Sequence, residues 1–157
     1  MNSKTSLPVR ALAAVSPFAA ADVHIVRLPV GDQGSAGDWA RRVFSVTAMP
    51  GWVRGLMGLR QALVGLVGIE RAADGVFDVA DEVDGEALIL TPSGHLDFAV
   101  SVARSDDLLL MTTAVQLHGW RGRLYWGVVQ WFHGPISQAM MTRAVRRAWR
   151  GSAATSA

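Results

Sequence analysis

The stretch LDFAVSVARSDDLLLMTTAVQLH, residues 96–118, decides the fold. Leu96, Phe98, Val100 and Val102 alternate with Asp97, Ala99 and Ser101, the two-residue period of a strand with two distinct faces. Ser105-Asp106-Asp107 supplies turn chemistry, and Leu108 to His118 reads as a long second strand. Two long strands joined by so short a turn must run antiparallel.

Working outward, Val76–Asp81 and Ala87–Leu90 read as further strands upstream, and Leu124–His133 reads as a strand downstream of a hairpin loop over His118–Arg123. Asp22–Leu28 is an earlier strand ending at Pro29. The helices have a different period. Asp38 is placed to cap a short helix carrying Trp39, Val43 and Phe44, and Pro50 opens a second with Trp52, Leu56, Leu59, Leu63 and Val67 on one stripe. Gly134-Pro135 is the expected start of a last helix, with Ile136, Met140, Met141, Val145 and Trp149 on its apolar side.

Strand, two short helices, a run of strands, long helix: this order predicts an α+β domain, a curved antiparallel sheet wrapped around a long C-terminal helix, as in helix-grip folds. Residues 1–21 read as a flexible extension, 22–150 as one domain, and 151–157 as a disordered tail. Lys4 would suit the start of a signal peptide, but Arg10 and Pro17 interrupt the apolar run that must follow.

Composition narrows the function classes. Half of the 157 residues are hydrophobic and 18% are charged, which fits a globular chain with one core. There is no cysteine, hence no disulfide or thiolate chemistry. The net charge is only +2 and the cations are scattered outside the C-terminal arginines, so no nucleic-acid partner is expected. Trp52–Ile69 is the most apolar segment. Arg54 and Arg60 inside it, at roughly 2.5–3.5 kcal/mol each in mid-bilayer, argue against a membrane span. A cytoplasmic location is the expectation.

From about Asp22 to Arg147 the chain resembles the uncharacterised bacterial family DUF2867. The matching pieces are Pro50-Gly51-Trp52-Val53-Arg54, Leu59-Arg60, His95-Leu96-Asp97-Phe98, Thr112-Thr113, Gly122-Arg123-Leu124-Tyr125 and Phe132-His133. The resemblance implies a START-like or polyketide-cyclase-like relative, a cavity under the C-terminal helix, and members that occur alone or fused behind a nucleotide-binding reductase. It brings no established catalytic residue. This chain has Pro92-Ser93-Gly94 where the family carries charge, and Trp131 where it tends to carry proline.

Among residues able to do chemistry, His95 and Asp97 form the sharpest pair. A spacing of two on a strand puts both on one face, about 6.5–7 Å apart at the backbone. They are either bridged by a ligand or bonded locally at a strand end. His133, before the last helix, is either a cavity acid–base group or a cap. His95, Asp97 and His133 are therefore the catalytic candidates. Trp52, Thr112, Tyr125, Trp131, Met140 and Met141 are the candidate ligand contacts, although such aromatic and Met stripes more often form plain core. His24, His95, His118 and His133 show neither HxH nor HxxxH spacing, and GxSxG, P-loop and Rossmann signatures are absent, so no metal or cofactor is expected.

The preferred expectation is binding of a small hydrophobic or amphipathic molecule between sheet and C-terminal helix. The rivals are a cyclase, dehydratase or isomerase using a cavity histidine as general base, and a partner module for a separate reductase.

Overall fold

The two long strands pair from Leu96 opposite Leu117 to Ser105 opposite Leu108, with Asp106 at positive φ in the turn between them. They are the centre of a five-stranded antiparallel sheet, curved and unclosed, in the order β1-β5-β4-β3-β2. The strands are β1 (Ala20–Arg27), β2 (Asp81–Val83), β3 (Glu86–Pro92), β4 (Leu96–Ser105) and β5 (Leu108–Leu117). The helices are α1 (Arg10–Ala14), α2 (Ala36–Phe44) and α3 (Gly119–Thr155), and residues 51–55 are also helical. The computed structural model describes residues 7–45, 47–55 and 78–155. Most of the stripe expected from Trp52 to Val67 lies outside the described residues, as do Val76 and Phe77.

Register assigns each face. Ile89, Val100 and Thr113 lie side by side, as do Ala87, Val102 and Met111, so these residues project to one side of the sheet. On that side they meet Trp39, Ala40 and Val43 of α2 and Met140, Met141, Ala144 and Val145 of α3. The apolar side chains among these form one core cluster. Trp39, Met141 and Ile89 are completely buried, and each such side chain contributes about 1.5–3 kcal/mol of burial. The opposite side carries Leu88, Ala99 and Ala114, covered by Ala11 and Val15.

That second cover is helix α1, which lies in the segment expected to be a flexible extension; of that segment residues 7–21 are described. Helix α1 is docked on the sheet, with the Ala11 N–H donating to Ser101 Oγ at 2.6 Å. Arg10 donates its backbone N–H to Glu86 Oε1 at 2.7 Å and pairs through its guanidinium with Asp81. A helix of five residues has almost no intrinsic stability, so tertiary contacts hold it.

The N-cap of helix α2 lies three residues before the expected one. Ser35 is the N-cap, its Oγ accepting from the Asp38 N–H at 3.1 Å, while Asp38 accepts from the Ser35 N–H at 3.2 Å. Asp38 is thus the third residue of a capping box. The loop before it is ordered by Asp32, which accepts from the Trp39 indole N–H at 2.8 Å. Of the strand expected over Val76–Asp81, the described residues 78–80 lie outside any strand and β2 starts at Asp81.

The largest correction concerns residues 118–134. The hairpin loop and sixth strand do not form. Gly119 to Thr155 is one helix, with Gly134-Pro135 in its interior and Gly151 still inside it. Aromatic and β-branched residues over Leu124–His133 favour strand on propensity alone. Yet Gly122, Trp126, Val129, His133, Ser137, Met140 and Ala144, spaced by three and four, are among the less exposed positions. That helical period continues across Pro135 and outweighs local propensity. At 1.5 Å per residue α3 is roughly 55 Å long, longer than any strand beneath it.

Candidate functional site

The strands and α3 bring four polar side chains together at the β1 edge. Asp22 and His24 alternate with exposed Val23, so both point to the α3 side of β1. Thr113 stands opposite Asp22 in the β1–β5 ladder. His133 descends from α3 and places Nε2 3.2 Å from Asp22 Oδ2, and His24 Nε2 lies 3.6 Å from the same oxygen. Phe98 and Trp126 pack on His133, with ring centroids 6.0 and 5.6 Å away.

These contacts are close but not aligned as regular hydrogen bonds. Asp22 Oδ1, His24 Nε2, His133 Nε2 and Thr113 Oγ1 are all buried without a well-directed partner. Such atoms are scarce in folded proteins, and four in one place call for a cause. Burial alone would raise the Asp22 pKa. His133 by contact and charge, then His24 and Thr113, outweigh burial and hold the carboxyl below its ordinary range. Asp22 is therefore an anion at neutral pH. Its side chain remains 35% exposed, so the cluster reaches solvent.

The other histidines are dispersed. His95 lies in the bend before β4, its Nδ1 3.2 Å from Ser93 Oγ and its ring edge-on to Tyr125 at 5.2 Å. Asp97 pairs instead with His118, Oδ2 to Nε2, at 2.9 Å. His95 and Asp97 both also contact Ser93, whose N–H donates to Asp97 Oδ1 at 3.3 Å. Of the catalytic candidates only His133 joins the β1 cluster. Thr112 faces the α1 side of the sheet beside Ser101, away from α3, and Thr113 is the hydroxyl that reaches the site. Met140 and Met141 are core, while Trp52 and Trp131 face solvent.

Two open grooves lie elsewhere among the described residues. One, about 330 Å³, is lined by Ser35, Glu82, Arg104 and Asp106. The other, about 690 Å³, runs between α2 and the second half of α3, beside Arg41, Arg42 and Arg147. Neither contains a sequence-predicted site residue. No group of three His, Cys, Asp or Glu side chains among the described residues is arranged to hold a metal ion.

Asp22 and His24 were not singled out from sequence, although the Asp-x-His spacing on a strand was a readable sign that both share a face. What no spacing reveals is that a helix residue from the far end of the chain lands beside them.

A curved, unclosed antiparallel sheet bearing a long C-terminal helix, with a carboxylate–imidazole cluster between them, defines an α+β domain of helix-grip-like architecture. The chain belongs to the family described as Protein of unknown function (DUF2867), whose model matches residues 15–140. That span includes Asp22, His24, Thr113 and His133. No curated protein and no solved structure matches the chain.

Proposed function

We propose that the domain binds a small amphipathic molecule whose polar group docks at Asp22, His24, Thr113 and His133. The observation that carries this reading is the convergence of four buried polar atoms without aligned partners. A ligand hydroxyl, amide or carboxylate would supply the missing bonds, and Phe98 and Trp126 offer apolar surface beside it. The Asp22 side chain remains 35% exposed, so the ligand would enter from the β1 edge. Native mass spectrometry of the purified protein tests this. A co-purifying small molecule that is lost in Asp22→Asn and His133→Asn variants supports it. A mass equal to the bare chain, together with no binding across a library of amphipathic carboxylates and alcohols, counts against it.

The Asp22–His133 geometry also favours a second reading. A carboxylate beside an imidazole holds the ring in a fixed orientation, and an oriented imidazole can act as a general base. An enzyme abstracting a proton next to a carbonyl would use His133 as base and Asp22 to position it. Incubation with small ketones in deuterium oxide, followed by proton NMR, would reveal exchange that depends on His133. Exchange that persists in His133→Asn rules this out.

A further inference from the structure

The first half of α3 presents an apolar row to solvent. Trp120, Leu124, Val128 and Trp131, spaced by four, four and three, are 64, 58, 60 and 76% exposed. At about 100° per residue they return to one side of the helix, opposite the side bearing Gly122, Trp126, Val129 and His133. An exposed apolar row of this kind marks a docking surface.

Charge indicates what docks there. Gly119–Thr155 contains six arginines and no aspartate or glutamate. The chain holds 15 cationic and 13 anionic side chains, so nine against 13 remain elsewhere, a net −4 outside the helix and +6 within it. Arg121 flanks the row on one side and Arg123 on the other; both are exposed, and Arg121 lies over the Trp120 ring at 5.6 Å. By the same angular rule Arg146 and Arg150 follow on the Arg121 flank. A second copy would bring another carboxylate-free, arginine-bearing helix against this one, which like-charge repulsion opposes. An anionic lipid surface supplies negative phosphates for the arginines and an interface suited to tryptophan. No described helix is long and apolar enough to cross a membrane, so the geometry is that of a helix lying on one.

We infer that α3 docks the domain on an anionic membrane surface through Trp120, Leu124, Val128 and Trp131, with the arginines on the lipid phosphates. Flotation of the full chain with vesicles of phosphatidylcholine, alone or with about a third phosphatidylglycerol, tests it. The expected result is binding to the anionic vesicles at least tenfold stronger than to the neutral ones. It should weaken several-fold between low and moderate salt. A Trp120→Ser/Trp131→Ser variant should lose about tenfold or more, and Trp131→Phe should retain most of it. Circular dichroism melts should leave both variants folded, since these side chains face water. Absence of flotation with anionic vesicles overturns the proposal. So does equal binding to both vesicle types, or a concentration-dependent dimer that the double serine variant abolishes in place of lipid binding.

Discussion

Asp22 on the edge strand and His133 on the long helix place a carboxylate oxygen and an imidazole nitrogen 3.2 Å apart, from opposite ends of the chain. The pair ties β1 to α3 at the point where other buried polar atoms gather. Its consequence for acid stability has a definite sign. The Asp22 pKa is lower folded than unfolded, so its contribution is complete above the unfolded value of about 3.9. It disappears as pH falls through the folded value. Urea midpoints between pH 7 and pH 2 should therefore lose an Asp22 component only below about pH 4, and Asp22→Asn should show a shallower acid limb. Parallel limbs for the two proteins would mean that the carboxylate is not stabilised by its neighbours.

Ser101 anchors α1 through one buried hydrogen bond to the Ala11 N–H. Ser101→Ala leaves that N–H without its acceptor, at a cost of about 1–3 kcal/mol. Urea denaturation followed by circular dichroism measures it, and limited proteolysis near α1 should accelerate. A change below about 0.5 kcal/mol would show that α1 is held by Arg10 and apolar contact alone.

Gly122 sits where the first turns of α3 meet the bend before β4. A Cβ there would press against the His95 backbone carbonyl oxygen, a neighbour unable to swing away. Two effects compete in Gly122→Ala. Helix propensity favours alanine by about 1 kcal/mol. Overpacking against backbone costs about 1–3 kcal/mol. The net expectation is destabilisation, read as a lower thermal midpoint. A higher midpoint would place α3 farther from His95 than it is here.

The two faces of α3 should respond oppositely to truncation. Met141 is completely buried in the core, so Met141→Ala should cost about 2–5 kcal/mol in urea unfolding. Trp131 is mostly exposed, and Trp131→Ala should change stability by no more than about 0.5 kcal/mol. Equal effects at the two positions would contradict the orientation of the helix.

Much of the sheet was legible because its determinants are local. Alternation in Leu96–Val102 and the Asp106-Asp107 turn specify the β4–β5 hairpin without reference to the rest of the chain. The end of the chain was harder to read. Leu124–His133 carries strand-favouring side chains and is bounded by glycines and a proline, and each is a local signal for a strand between breaks. The helical spacing that prevails is visible only when positions on both sides of Pro135 are taken together. The same error hid the site, because a strand ending at His133 would not have carried that ring over β1.

By itself, then, the sequence determined the α+β class, the β4–β5 hairpin and, apart from the exposed Trp149, the apolar side of the last helix, since periodicity and turn chemistry act between neighbouring residues. Only the tertiary structure decided that α3 begins at Gly119, that α1 covers the second face of the sheet, and that Asp22, His24, Thr113 and His133 meet. Those outcomes depend on which surfaces bury one another across large sequence separations, and contacts of that kind have no period to read.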